Sequence, residues 1–428
     1  MTHLRNSHAP SVRVSLPLLA AAIFVGSTGL SEKSLAADWP QWRGIARDGI
    51  TADPLPDQFP AQAAPLWRQP VGHAYASPVV AGKRLFLFEE SGTQETARCL
   101  DRNTGSTLWK VDIGDAYTDE FEPGPRCTPL VDGDLVYYQT CRGEFRCLAV
   151  SDGSLKWRFN FKDYGMQWVE DKSGGPGAAS RRGNSGAPIV DGDRIFIQIG
   201  SADGACIGAF DKRTGKLIWK SQNDLTTYSS LMLGTLAGKR QVISATCDGL
   251  LSLGTSDGSV LWRVPFKTGA NRNVLTPILD GDTVLFSSHT TGLQSLRITP
   301  AGVDSGALKA ENVWFNRQVK INLATPVLVK GNLYGHGENR NFICVEEATG
   351  KVRWSQPGFG ATTATFASGN RLLAITDGGE ALLLSANPEK YEELGRIQVC
   401  GKTFSSPAYS DGILYVRDSR ELSAWKLR

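Results

Sequence analysis

The chain carries no apolar run long enough to cross a bilayer as a helix. Leu16 to Val25 is apolar but spans only about ten residues, against the roughly 20 that a span needs. No long apolar stripe with a 3.6-residue period stands out, which argues against a helical bundle. There is no Cys-x-x-Cys and no Cys/His spacing of the zinc-binding kind, so a structural metal site is not expected. Ser173-Gly174-Gly175-Pro176-Gly177 is Gly-rich but lacks the Lys-Ser/Thr ending of a phosphate loop, which argues against nucleotide binding. No Ser/His/Asp order and no paired-carboxylate motif singles itself out. Charge of one sign is also missing. The net charge of +3 falls to +1 when residues 1–36, which hold Arg5, Arg13, Lys33 and Glu32, are removed. Such a balance projects no field toward nucleic acid or an anionic membrane, and neither partner is expected.

What the N-terminus does have is a secretory pattern. Arg5 and Arg13 flank the approach to the Leu16–Val25 run, and Ser34-Leu35-Ala36-Ala37 offers a small-x-small cleavage site. Residues 1–36 are therefore expected to be a signal peptide, and the mature protein periplasmic or extracellular. No Cys follows the run closely, so no lipid anchor is expected. Residues 37–64 form an arm, Asp38-Trp39-Pro40-Gln41-Trp42-Arg43-Gly44 followed by a Pro-rich segment. Trp39 and Trp42, flanking a proline, are expected to pin this arm onto the domain.

From residue 65 the chain is repetitive. With 46 Gly, 21 Pro and 9% aromatics, the composition suits many turns between short strands. In Ala187-Pro188-Ile189-Val190-Asp191-Gly192-Asp193, an apolar strand ends in a tight turn. Arg194 to Ile199 then alternates polar with apolar residues, Ile207 to Phe210 forms a third strand, and Thr214-Gly215 leads into Lys216 to Trp219. This four-stranded antiparallel unit recurs seven times, the copies beginning near Ala76, Cys127, Ala187, Ser229, Leu275, Ala324 and Thr363. The seventh copy has no terminal Trp. An eighth, from Ser405 to Arg428, has only three strands, while Pro65-Leu66-Trp67-Arg68-Gln69-Pro70 resembles a lone fourth strand. If Leu66 to Gln69 pairs with Leu422 to Lys426, the chain is an all-β, eight-bladed β-propeller over residues 65–428. Ring closure removes the edges a linear array would expose.

Eight cysteines in an exported chain raise the question of disulfides. Cys99, Cys147 and Cys344 each lie six residues before a turn glycine, where the copy at 209 has Ala, and so look like small buried residues. Cys127 with Cys141, within one unit, is the pair to test.

The spacing Ala209, Asp211, Gly215, Trp219 resembles the tryptophan-docking repeat of the PQQ-like β-propellers. That superfamily contains quinoprotein alcohol dehydrogenases and outer-membrane assembly scaffolds of the BamB kind. It recurs at Cys99, Asp101, Gly105, Trp109 and, with Glu for Asp, at Cys344, Glu346, Gly350, Trp354; the units ending at Trp157 and Trp262 keep only Gly and Trp. Trp67, Trp109, Trp157, Trp219, Trp262, Trp314 and Trp354 are accordingly expected to dock blade on blade, each with a large apolar area to bury. The Asp-Gly turns are separate rather than clustered, which fits turn chemistry better than Ca²⁺ binding.

For an enzyme, the resemblance implies PQQ and Ca²⁺ in the central funnel, a stacking aromatic or vicinal disulfide, and an Asp base. The chain has no adjacent Cys pair, no segment matching the metal and base motif, and no Cys-x-x-Cys-His haem site. The leading expectation is a non-catalytic exported scaffold with no cofactor, a monomer that binds a protein, peptide or carbohydrate. A PQQ-dependent dehydrogenase is the alternative. Binding is expected on the face carrying the loops between blades and between second and third strands. That face takes Asp115 to Arg126, with Asp119, Glu120 and Glu122. It also takes Asp163 to Ser185, with Tyr164, Trp168, Lys172, Arg181 and Arg182. Arg142, Glu144, Arg272, His289, Arg317, Lys320, His336, Glu338, Asn339 and Arg340 complete the candidates. Such a set either receives an anionic ligand or forms a solvated rim of internal ion pairs.

Overall fold

A computed structural model describes Met1 and residues 38–119, 121–166, 183–302 and 306–428. The chain divides into two units, Met1–Leu35, of which only Met1 is described, and Ala36–Arg428. The larger unit is the expected eight-bladed propeller, eight antiparallel sheets of four strands each. Blade three is typical: Ile189–Asp191, Arg194–Ser201, Ala205–Asp211 and Leu217–Ser221 follow one another from axis to rim. Among the described residues helix is limited to the short turns Phe161–Tyr164 and Gly269–Asn271.

The ring closes as the repeat count requires. Pro65–Pro70 pairs antiparallel with Glu421–Lys426, Trp67 opposite Ala424 and Pro70 opposite Glu421, completing the last blade with Ala408–Ser410 and Ile413–Arg417. Apolar side chains fill the spaces between neighbouring blades. One such cluster joins Phe86 and Trp109 of blade one to Val136 and Tyr138 of blade two.

The pairing register explains the repeat. In the ladder between third and fourth strands, Cys99 faces Trp109, Cys147 faces Trp157, Ala209 faces Trp219 and Cys344 faces Trp354, each pair just before a register shift. A small side chain opposite leaves room for the indole to lie flat along the sheet and reach the next blade. Blade seven reverses the sizes, Leu383 opposite Gly395, which accounts for its missing Trp. The indole N–H then donates across the gap: Trp67 to the Arg102 carbonyl at 3.0 Å, Trp109 to Val150 at 3.1 Å, Trp157 to Lys212 at 3.0 Å, Trp219 to Thr255 at 3.2 Å, Trp314 to Glu347 at 2.9 Å and Trp354 to Asn387 at 2.9 Å.

Five of the rings, those of Trp67, Trp109, Trp157, Trp219 and Trp314, lie on a bare glycine turn. Gly215 sits at φ +70°, and a Cβ there would come within 2.6 Å of the Trp157 ring, so both the left-handed backbone and the docking ring demand glycine. Asp211 holds that turn: its carboxylate accepts from the Thr214 hydroxyl at 2.8 Å and from the amides of Thr214 and Arg213. These bonds, the hydroxyl foremost, hold its pKa below the usual range.

Trp262 departs from the expectation. Its ring is buried among blade-five side chains such as Leu285 and Leu296, but its N–H donates to Gln241 Oε1 of its own blade at 2.6 Å. Blade five replaces the short turn with a longer connection between Leu293–Pro300 and Leu308–Asn316.

Cys127 and Cys141, the pair singled out for testing, are not bonded; all eight cysteines are free thiols. Cys127 Sγ points to the carbonyls of Thr128 and Gly186, whereas Cys141 Sγ points to that of Gly124. The two residues lie beyond the ends of the paired strands Leu130–Asp132 and Leu135–Gln139, so no ladder brings them opposite each other. Cys99, Cys147 and Cys344 are buried, as read from the repeat.

Candidate functional site

Eight innermost strands converge on the axis with one edge each unpaired, and the N-terminal arm satisfies many of those edge groups. Trp39 and Val80 exchange backbone hydrogen bonds at 2.9 and 2.8 Å, and Val131 N–H donates to the Pro40 carbonyl. Arg47, 1% exposed, donates to the carbonyls of Ala187 and Leu231 at 3.0 Å, to that of Pro188, and to Gln41 Oε1 at 2.8 Å. Arg43 donates to the carbonyls of Thr325, Asp48 and Pro326. Ala367 bonds to Gly49 and Thr51, and the Tyr409 hydroxyl to the Pro54 carbonyl. Arm groups thus reach blades one, two, three, four, six, seven and eight. Trp39 is pinned as expected, edge-on to Phe366 at 5.0 Å. Trp42 instead faces the space above.

That space is a funnel of about 440 Å³ with Trp42 and Arg43 at its base. Its wall begins with the residues just before the innermost strands, among them Ser77, Thr128, Ser230, Thr276 and Thr325. These hydroxyls form a belt from blade to blade. Thr128 Oγ1 accepts from Ser77 N–H at 3.1 Å, Ser230 Oγ from Ala187 N–H at 3.1 Å, Thr276 Oγ1 from Ser230 N–H at 3.0 Å, and Thr325 Oγ1 from Thr276 N–H at 3.2 Å. The proline that follows most of these residues holds them extended, so that each hydroxyl meets the neighbouring amide. This belt was missed in the sequence reading, although the recurrence of Ser/Thr-Pro signals it.

Above the belt the mouth is apolar and cationic. Phe121, Leu323 and Phe404 are 62%, 43% and 38% exposed, and Tyr75, Tyr228, Arg126, Arg272 and Asp377 join them in the lining. Arg126 sits over the rings of Tyr75 and Tyr117, at 4.9 and 5.2 Å, and pairs with Asp119 at 2.8 Å. Arg272 donates to Asn322 Oδ1 at 3.3 Å, while its buried Nε has no hydrogen-bond partner. His289 is a neighbour: burial, then the charges of Arg272 and Lys320, hold its pKa below the usual value.

Of the candidates named from sequence, Arg126 and Arg272 line the funnel, with His289 beside Arg272. Arg142 lies near the buried Glu95, and Glu144 pairs with Arg146 at 2.9 Å. His336 is buried, its Nε2 3.2 Å from the Gly360 carbonyl, a packed position. Arg317 covers the Phe315 ring, Glu338 lies 3.9 Å from Lys320, and Asn339 and Arg340 adopt the left-handed turn conformation. Tyr164 is partly buried and packs edge-on against Phe159 and Phe210 at the core between blades two and three. Trp168, Lys172, Arg181, Arg182 and Glu120 lie outside the described residues. The Arg126–Asp119 pair is largely buried, whereas Lys320 and Glu338 are part-exposed.

The chemistry available for a cofactor is narrow. Among the described residues no three His, Cys, Asp or Glu side chains gather to hold a metal ion, and Asp377 is the one acidic group in the described lining. Trp42 could stack on a planar ring, but the donor set does not fit a Ca²⁺ held by several carboxylates.

The sequence profile of the family described as outer membrane protein assembly factor BamB matches residues 93–356, more than half of the chain. The chain belongs to the BamB family. No curated protein sequence matches it significantly. BamB from Moraxella catarrhalis superposes with a TM-score of 0.60 at 13% identity, covering 86% of this chain and 98% of its own. The computationally designed protein Ika8 gives 0.57 at 12% identity, over 83% and 97%. A quinohemoprotein alcohol dehydrogenase from Comamonas testosteroni gives 0.49 at 13% identity, over 91% and 80%. At such identities the likeness to the first two is one of fold. Among the described residues of this BamB-family propeller, no helix is long and apolar enough to cross a membrane.

Proposed function

We propose that the protein is an exported, non-catalytic scaffold that captures a segment of a partner protein in the mouth of its funnel. The observation that carries this reading is the exposure of Phe121, Leu323 and Phe404 around one blind cavity. Exposed apolar groups with arginine and tyrosine among them are the composition of an energetic binding centre. The arm closes the axis below, so a ligand enters and leaves from the loop-rich face. Family membership agrees with a protein partner and a periplasmic location.

The test places a photo-crosslinking amino acid at Leu323 or Phe404 in the exporting cell. A discrete crosslinked partner is expected from both, and none from Arg213 in the turns of the opposite face. Crosslinking confined to the Arg213 position would overturn the reading, as would saturable PQQ and Ca²⁺ binding with dye-linked alcohol oxidation. N-terminal sequencing of the exported protein should begin at Ala37.

A further inference from the structure

We propose that the captured segment is an acidic peptide, with a carboxylate against Arg272 and an adjoining apolar side chain in the funnel. This rests on the scaffold reading above and names the chemistry of its partner. Of the four charged side chains in the described funnel lining, three are arginines and one is Asp377. The arginines differ in how far the protein has already used them. Arg43 is spent on the carbonyls of Thr325, Asp48 and Pro326. Arg126 is paired with Asp119 at 2.8 Å and covered by two tyrosine rings. Arg272 has only a neutral amide oxygen, at 3.3 Å, and a buried Nε with no partner. A guanidinium partly shielded from water and short of acceptors gains most from a carboxylate, which offers the two-pronged geometry its fork matches.

The surroundings of Arg272 add charge of the same sign. Lys320 and His289 lie beside Arg272, and Glu338 lies 3.9 Å from Lys320. The wall formed by the connections on either side of blade five is therefore a positive patch at the edge of an apolar cavity. A cavity of about 440 Å³ is within the usual range for enclosed ligands, roughly 300–1,000 Å³.

A peptide fits the lower wall better than an acidic sugar does. The hydroxyls of Thr128, Ser230, Thr276 and Thr325 each accept from a neighbouring amide and keep an O–H to donate, which the backbone carbonyls of an extended peptide would receive. Tyr75 and Phe404 lie against each other, tilted by 34° with centroids 5.8 Å apart, so these two rings do not form one flat platform. An aromatic or branched side chain would bury its area against Phe366, Ile375 and Val274 instead.

The experiment measures fluorescence anisotropy of the intact mature protein with a labelled acetyl-Asp-Glu-Phe-Asp-Glu-amide peptide and its Asn/Gln isostere. The acidic peptide should bind about tenfold or more tighter than the isostere, since one charge-assisted hydrogen-bonded pair is worth roughly that factor. Arg272→Gln should remove the advantage, Lys320→Gln should reduce it, and Arg213→Gln should leave it unchanged. An unaltered melting temperature certifies that each variant is folded. Equal affinities for the two peptides, absence of saturable binding, or stronger competition by an oligo-uronate than by unlabelled peptide would overturn the proposal. Crosslinking from Leu323 and Phe404 in a protein whose peptide binding ignores charge would sink the acidic-segment inference alone and leave the scaffold reading standing. Loss of both would sink the scaffold reading too.

Discussion

The rim of the ring and its axis are built by opposite means. At the rim one solution is repeated, a tryptophan facing a small residue in its own sheet and docked on the bare turn of the next blade. At the axis a non-repeated arm meets most of the blades with different groups, and each loop around the mouth contributes a different side chain. Repetition suits a task that every blade shares, namely burying its neighbour's edge. Variation is what a binding site needs, since recognition comes from a few unlike groups converging on one ligand.

The largest expected effect tests whether the arm belongs to the structure or merely decorates it. Deleting residues 38–70 removes both the axial contacts and the fourth strand of the last blade. The result should be aggregation or loss of cooperative unfolding, and an unchanged thermal melt would refute the closure described. Next is a contrast within the rim. Trp219→Ala should cost about 3–5 kcal/mol in denaturant unfolding, as large-to-small changes of buried aromatics do. Trp262→Phe should cost less, of the order of 1 kcal/mol, because that ring keeps its packing and loses one hydrogen bond within its own blade. Equal losses from substituting Phe for Trp219 and Trp262 would deny that the inter-blade bond matters.

Beneath the mouth, Glu95 supplies a pH-dependent comparison. Burial raises its pKa to about 8, only partly offset by the hydrogen bond its carboxylate accepts from Cys141 N–H at 3.3 Å. Because the folded state holds this proton and the unfolded state releases it near the ordinary glutamate value, stability should fall as pH rises between about 4.5 and 8. The slope is about 1.4 kcal/mol per pH unit at most. Glu95→Gln should flatten it in melting curves taken across that range; a slope unaffected by the substitution would mean that other groups carry it.

A smaller effect concerns His289, which faces Arg272, Lys320 and the Gly269 backbone. Those two cations and burial disfavour its charge, and an arriving carboxylate would favour it. Acidic-peptide affinity should therefore rise a few-fold as pH falls from about 7.5 to 6, and His289→Gln should remove that trend.

The rim could be read in the sequence almost entirely. The Ala-x-Asp-x-x-x-Gly-x-x-x-Trp spacing carries the small cross-strand partner, the turn and the docking ring in one short string, and the orphan strand at Leu66 reveals the closure. Trp262 escaped that reading because its exception lies in the following blade, whose turn is lengthened. The axis was far less legible. Arg43 and Arg47 sit in a polar stretch and resemble surface charges; only the fold brings them under carbonyls of strands more than 100 residues away. Phe121, Leu323, Phe404 and Asp377 come from loops of different length and share no spacing, so no pattern marks them as neighbours. Arg126 and Arg272 were found as basic loop residues, but nothing local says that the first is already neutralised by Asp119 and the second is not.

Hydrogen–deuterium exchange of the intact protein, with and without the acidic peptide, tests the division between rim and axis most directly. The account predicts protection confined to the mouth, in residues 121–128, 272–276, 322–325 and 403–406, with the outer strands that carry Trp109, Trp157 and Trp219 unchanged. Protection centred on those outer strands, with the mouth unaffected, would contradict it.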